Sequence, residues 1–329
     1  MTLRLPSARP LYEGFPAFHA SEIAPFLKER EVERQQAVTR LCAATGAGVV
    51  GAVALSFSNV FGSNNSPLAT MLVMGGFLFG VTLLDQKRDE ITHGLLEKIA
   101  ARFGFAYRGK PGRPAFYDQY RRLKLLPPHN REDFEDEVVG EYAGAPFTLC
   151  EAHLRMKRSS KSSKGQTVFH GQLIVIDYPK RFLGSTVLLR DAGAFNALSR
   201  PAKDYQRVGL ASPEFEKSFE AWSTDQVEAR DLLDPVVLER FQELERLYGG
   251  KMLRAAFDGG KLLIAIETGD RLSIGTMFKP IEGTARVETI LKEFDVIFDL
   301  IDVLLARLDR RIAGAFSLAD VKPRSANHG

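Results

Sequence analysis

The chain has 329 residues, 45% hydrophobic and 26% charged, with a formal net charge of +3. That length admits one large domain or two ordinary ones, and the composition excludes a disordered polyelectrolyte. Charge is spread evenly, with 8 Lys and Arg against 6 Asp and Glu through Arg88, and 36 against 35 after it. So neutral a remainder argues against nucleic-acid binding, which draws on an excess of basic residues over phosphate.

The first residues, MTLRLPSARPLYEGFPAF, lack the apolar core of a secretory signal. SEIAPFLKEREVERQQAVTRL then reads as a helix with Ser21 as its N-cap, a juxtamembrane stalk closing an N-terminal segment of residues 1–36. From Leu41 to Leu84, 44 residues, there is no Asp, Glu, Lys, Arg or His. Two apolar segments lie inside this stretch, Leu41–Phe57 and Leu68–Leu84, each of 17 residues. That is the short end of the roughly 17–25 residues that cross a bilayer as a helix. SNVFGSNNSP between them is a polar turn with Gly and Pro that a helix would not continue through.

The second segment is rich in Leu, Val, Met and Phe and inserts by itself, at about −0.3 to −0.6 kcal/mol for each Leu, Val or Phe near the helix centre. The first is Ala- and Gly-rich and offers close packing instead. Ala43, Ala47 and Gly51 repeat every four residues, as do Ala44, Gly48 and Ala52, and in the second segment Gly76 and Gly80. Small residues at this spacing let helix backbones approach in lipid, within a hairpin or in a homo-oligomer. The expectation is a transmembrane helical hairpin over residues 37–86. Lys28, Arg30, Arg34 and Arg40 before it, and Lys87, Arg88, Lys98 and Arg102 after it, place both termini in the cytoplasm by the positive-inside rule.

The same stretch contains a G-x-G-x-x-G, Gly46, Gly48 and Gly51. A dinucleotide site needs a strand before these glycines and an acidic residue about 20 positions on. The next carboxylate is Asp85, with a second apolar segment intervening, so the glycines are read as a packing face and no cofactor is expected. Nor do Cys42 and Cys150 indicate a zinc site or a disulfide framework, since neither belongs to a C-x-x-C or a Cys/His cluster.

Residues 87–312 read as a cytoplasmic domain. ITHGLLEKIAARFGFAY gives a helix with Ile91, Leu95, Leu96, Ile99 and Phe103 on one side, broken at Gly104. A linker-like run with Gly109, Pro111, Gly112 and Pro114 follows. EDEVVGEYAGAPFTLCEAHLRM predicts a hairpin turning near Ala143-Gly144-Ala145-Pro146, and TVFHGQLIVIDYPK and STVLLRD further strands. Ser223 to Gln226 form a capping box for a short helix, and Asp234-Pro235 caps and starts a second that Gly249-Gly250 ends. KMLRAAFDGGKLLIAIET is a hairpin around Asp258-Gly259-Gly260. A last helix runs roughly from Ala285 to Arg311, with Ile290, Phe294, Ile297, Phe298, Ile301, Leu304, Leu305 and Leu308 on one face. The tail, 313–329, is expected to be disordered. Antiparallel hairpins with interspersed helices and a long C-terminal helix make the fold class α+β.

Several constellations bear on chemistry. Arg155, Lys157, Arg158, Lys161 and Lys164 lie among serines and form a candidate anion or lipid-headgroup loop, against the plainer reading of a solvated hairpin loop. Asp295, Asp299, Asp302 and Asp309 on the last helix read as a solvated face; no His accompanies them, so no metal site is expected. His153 and His170 fall in adjacent strands, and with Glu228 and Arg230 they are the candidate lining of a cleft. An ion pair of Arg230 with Asp225 or Glu214 is the structural alternative. No Ser, Cys or Asp is spaced to complete a triad with the histidines, so no catalytic residue is assigned.

EDEVVGEYAGAPFTLCEAHL, VFHGQLIVIDYPKRFLGSTVLL, and above all SPEFEKSFEAWSTDQVEARDLLDPVVLERFQEL with AAFDGGKLLIAIET, resemble a family of bacterial membrane proteins known as domain of unknown function 3137. The resemblance covers roughly Arg88 to Leu308, and Asp234 stands where the family is expected to have Thr, another helix cap. It implies a cytoplasmic domain on the bacterial inner (plasma) membrane and supplies no catalytic residues. Three functions follow as expectations. The first is a non-enzymatic membrane-tethered module that binds a protein partner or peptide. The second is a hydrolase or ligand-binding enzyme with a site between the β-hairpins and the helix at 224–233, and the third an anionic-lipid surface sensor.

Overall fold

The computed structural model describes residues 3–57, 66–157, 165–178, 181–190, 203–210, 213–249, 251–268, 272 and 275–319. In chain order the helices are α1 (Phe15–Phe18), α2 (Ala24–Phe57), α3 (Ser66–Arg102), α4 (Tyr117–Arg122), α5 (Pro213–Glu216), α6 (Gln226–Leu232), α7 (Pro235–Leu247) and α8 (Ala285–Ala319). The strands are β1 (Ala106–Arg108), β2 (Arg131–Tyr142), β3 (Ala145–Met156), β4 (Gln166–Asp177), β5 (Thr186–Arg190), β6 (Gln206–Val208), β7 (Phe219–Ser223), β8 (Lys251–Asp258) and β9 (Lys261–Glu267). The mixture is α+β with antiparallel pairing throughout the registered strands, as the sequence predicts. The chain divides into two compact units, Met1–Gly109 with Asp270–Lys292, and Lys110–Gly269 with Glu293–Gly329.

In the first unit the helix begins earlier than its sequence signals. Gly14, with φ of 71°, precedes α1, Pro16 supplies a fixed φ in its first turn, and a π-helical turn at His19–Ile23 leads into α2. Ser21 therefore lies inside the helix and turns its hydroxyl back to the Phe18 carbonyl rather than capping anything. α3 returns antiparallel to α2. Their charged halves bury Ile23 and Leu27 on one helix and Ile91, Leu95, Leu96 and Ile99 on the other. Phe103 closes this core, edge-on to Tyr12 and stacked on Phe15. Gly104, at φ 75°, follows the end of α3.

In the second unit the strands run β2-β3-β4-β9-β8-β5-β7-β6. Both predicted hairpins form. The β2–β3 turn carries φ of 50° and 81° at Ala143 and Gly144, and the β8–β9 turn 62° and 85° at Gly259 and Gly260. These are the left-handed angles of two-residue turns. Register aligns Phe147, Ile176, Leu262 and Phe257 across four strands on one face. Phe298 of α8 meets Tyr142 and Phe147 there, and Phe241 of α7 meets Phe257. The opposite face, with Leu173, Val175, Leu263, Ala265 and Val187, is covered by Tyr117, Tyr120, Leu123, Leu125 and Leu126. The stretch just after the linker-like run, Tyr117 to Leu126, is thus half of a core. Tyr120 fixes it, its hydroxyl 2.7 Å from the Ile174 carbonyl and 3.0 Å from that of Ile264.

α6 is capped by Asp225, which accepts from the amides of Val227 and Glu228; Ser223 instead closes β7, bonded to Thr186. Asp234 caps α7 through Val237, with Pro235 at its first position. α8 continues through Ala319, beyond Arg311, and residues 320–329 lie outside the described residues.

Candidate functional site

Two surfaces can carry function, the uncharged halves of α2 and α3 and a polar block on the sheet. Both helices are long and apolar enough to cross a membrane. They touch through backbone. A Cβ on Gly48 would lie 2.6 Å from the Leu72 carbonyl oxygen, and one on Gly80 2.8 Å from the Leu41 Cα. One on Gly76 would meet the Ala44 carbonyl. Of the two small-residue rows on α2, the one in contact is therefore Ala44–Gly48–Ala52. Ala43 and Ala47 are exposed, and Gly51 sits at the edge of the contact, 3.5 Å from Leu72 Cδ1. The large apolar side chains point outward, with Val50, Val53, Phe57, Met71, Leu78 and Phe79 exposed.

The second surface lies on β3 and β4. Register sets His153 opposite His170 and Glu151 opposite Gln172, a two-by-two block on one face. The imidazoles stack, with ring centroids 4.6 Å apart. His170 Nε2 lies 3.0 Å from Glu151 Oε1, and His153 Nε2 lies 2.8 Å from the Thr167 hydroxyl. Burial, the neighbouring His170 and Arg155 push the His153 pKa down, against a smaller opposing pull from Asp133. Gln172 is 1% exposed, with no hydrogen-bond partner for either amide atom among the described residues. A shallow depression of about 350 Å³ reaches His170 between Thr167, Phe169, Gly249, Glu267 and Thr268. A Ser- or Thr-His-Asp/Glu triad needs hydroxyl and carboxylate on the same imidazole. Here the hydroxyl is on one ring and the carboxylate on the other, so the relay is interrupted at the stack.

Glu228 and Arg230 do not join this block. β9, β8 and β5 intervene between β4 and β7, about 19 Å at the usual strand spacing. Glu228 is buried and accepts the Gly184 amide at 2.9 Å, while Arg230 is exposed. The Gly184 turn is packed so closely that a Cβ would lie 2.7 Å from that of Asp225. This corner is a lock between the start of β5 and α6.

Of the basic loop, Arg155 pairs with Asp133, and Lys157 is held by Asn130 through its amide and carbonyl, at 2.8 and 2.9 Å. Arg158, Lys161 and Lys164 lie outside the described residues. Asp295 and Asp302 of α8 differ from the solvated face expected, and the side chain of Asp309 lies outside the described residues. Asp295 is 8% exposed, and Asp302 accepts from the Tyr142 hydroxyl at 3.3 Å. Among the described residues no group of three or more His, Cys, Asp or Glu is placed to hold a metal ion. Cys150 is buried, its thiol pKa pushed up by desolvation and by Glu137, Glu151 and Asp136; Cys42 is exposed.

The positions that sequence reasoning missed here are Glu151, Thr167 and Gln172. The signal that finds them is register. Once His153 faces His170, alternation puts Glu151 and Gln172 on the same side.

No curated protein sequence matches the chain. The crystal structure of the mycobacterial trehalose monomycolate transport factor A, TtfA, is similar at 12% identity. It aligns with 64% of this chain and 94% of that one, at a TM-score of 0.35, a likeness that assigns neither fold nor function. Residues 167–305, from β4 into α8, match the family model described as protein of unknown function (DUF3137).

Proposed function

We propose that the protein is an integral membrane protein whose α2–α3 hairpin crosses the bacterial inner membrane twice. Both termini are cytoplasmic, and the domain that follows the hairpin acts as a tethered module for a protein partner or peptide. The observation that carries the tether is the inversion of side-chain size on the hairpin. Small residues meet between the helices, while Val50, Phe57, Met71 and Phe79 face outward over a stretch without charge. In water such a surface would be an aggregation hazard; in lipid it is a solvated one. A soluble hairpin buried in a core would show the reverse.

The binding role is supported by two surface depressions of the second unit. The depression at His170 and another of about 520 Å³ beside Arg113 and Glu132–Glu135 are open and shallow, unlike the enclosed pockets that hold small molecules. The interrupted relay at the histidine stack favours this reading over a hydrolase.

Topology is tested by cysteine accessibility in intact cells. In a Cys42→Ser background, a cysteine introduced by Asn64→Cys reacts with a membrane-impermeant maleimide added outside, and one introduced by Ala24→Cys reacts only after lysis. Reaction of both from outside, or extraction of the full chain by alkaline carbonate without detergent, would refute the two-span reading.

A further inference from the structure

We propose that the segment Gly275–Ile281 is a second membrane contact, presenting Phe278 and Lys279 to the headgroup layer of an anionic bilayer beside the start of the first span. The proposal rests on the reading that the hairpin spans the membrane, and it concerns residues that no part of that reading uses.

The segment is pinned to its unit at both ends. Arg34 donates to the Met277 carbonyl at 2.5 Å, Arg286 to the Thr276 carbonyl at 3.2 Å, and the Ile281 amide to Glu31 Oε2 at 3.0 Å. Met277 and Ile281 are buried, and so are Glu31 and Arg34, which pair with each other at 2.6 Å. Between these anchors Phe278, Lys279 and Pro280 face outward. Phe278 is 65% exposed, and its amide bonds the Thr276 hydroxyl at 3.3 Å, which tightens the turn. A lone exposed apolar residue is ordinary on a protein surface. An aromatic tip on a loop already ordered by a buried ion pair differs, because little conformational freedom remains to be lost when it inserts.

Its level along α2 is fixed because the helix is unbroken from Ala24 to Phe57. Arg34, bonded to the residue before Phe278, precedes Leu41 by about 10 Å of helix rise. Glu31, bonded to Ile281, precedes Leu41 by about 15 Å, and with a polar layer about 5–8 Å thick in each leaflet the turn lies just outside that layer when Leu41 marks the edge of the hydrocarbon. The 17-residue apolar segments, about 25 Å long, are shorter than a hydrocarbon core of about 30 Å, a mismatch that draws the flanking turns toward the headgroups. Charge agrees with the placement. Residues 275–281 include Lys279 and no acidic side chain, and Arg40 is exposed on the last turn of α2 before the span. Basic residues at this level are attracted to anionic lipid.

The test uses the full chain carrying Trp222→Phe, which removes its single tryptophan. One tryptophan is then introduced by Phe278→Trp or, as a reference much farther from the span on exposed α2 surface, by Ala24→Trp. Each protein is reconstituted into vesicles of phosphatidylglycerol and phosphatidylcholine, the latter brominated near the top of its acyl chains. The expected result is several-fold stronger quenching of the tryptophan at 278 than of that at 24. Lys279→Glu, or omission of phosphatidylglycerol, should reduce the difference. Equal quenching at the two positions in protein that still floats with the vesicles would overturn the contact and leave the spanning hairpin standing. Protein that fails to float would overturn the spanning reading, and the contact with it. Quenching indifferent to both Lys279→Glu and phosphatidylglycerol would overturn the anionic-lipid assignment.

Discussion

The hairpin halves between Leu41 and Leu84 and the sheet of the second unit are both strongly apolar, yet they are held in opposite ways. In the sheet the large side chains point inward, with Phe147, Phe169, Phe219 and Phe257 fully buried. In the hairpin they point outward and the helices meet through glycine and alanine. Hydrophobicity therefore does not by itself report burial; the solvent that each surface is built for does. The contrast is sharpest in two phenylalanine deletions. Phe257→Ala should cost about 3–5 kcal/mol by removing a buried ring and leaving a cavity. Phe79→Ala, at a site 63% exposed, should change unfolding in detergent by less than about 0.5 kcal/mol. Thermal melts of the full chain in one detergent would compare them directly, and equal losses would mean that the hairpin surface is covered by protein.

The length and place of the uncharged stretch were legible because a missing charge is a compositional signal that needs no tertiary knowledge. The contacting row on α2 was not. Ala43–Ala47–Gly51 and Ala44–Gly48–Ala52 have identical spacing, and what separates them is where Gly76 and Gly80 lie on the other helix. Hairpin turns at Ala143-Gly144 and Gly259-Gly260 were readable because positive φ demands particular residues. The core role of Tyr117 to Leu126 was not readable. Gly and Pro mark a loop, but Tyr117 and Tyr120 are core only because a sheet built from distant strands lies against them. Likewise His153 and His170 could be paired from adjacent strands. The separation of Glu228 from them depends on strand order, which places later strands between earlier ones.

A smaller effect separates the charged half of the first unit from the uncharged half. Arg34 and the Ile281 amide hold the Glu31 carboxyl well below its ordinary value of 4.5, at about 2. A depressed carboxyl contributes stability that is complete above about pH 4.5 and is lost as pH falls through about 2. Glu31→Gln keeps the shape, removes the charge, and should cost about 1–3 kcal/mol at neutral pH. It should also flatten the acid limb of stability in that window. Acid melts of both proteins, followed through a probe in the first unit, measure it. An unchanged acid limb would show that the Glu31–Arg34 pair does not hold the segment at Met277–Ile281.

The finest test of the hairpin adds one methyl group at two positions about 200° apart around α2, on nearly opposite faces. A Cβ at Gly48 would sit 2.6 Å from the Leu72 carbonyl oxygen, and backbone cannot swing aside as a flexible side chain can. Gly48→Ala should force the helices apart and cost about 1–3 kcal/mol. A Cβ at Gly46 meets nothing within 4 Å. Gly46→Ala should be neutral, or slightly stabilising where replacing a helical glycine reduces the freedom of the unfolded chain, by less than about 1 kcal/mol. The two variants have the same composition and hydropathy, so a difference in detergent melting isolates the packing face. If both destabilise, the face of Gly46 is also occupied, and a second hairpin lying against it becomes the reading to pursue by cross-linking in the membrane.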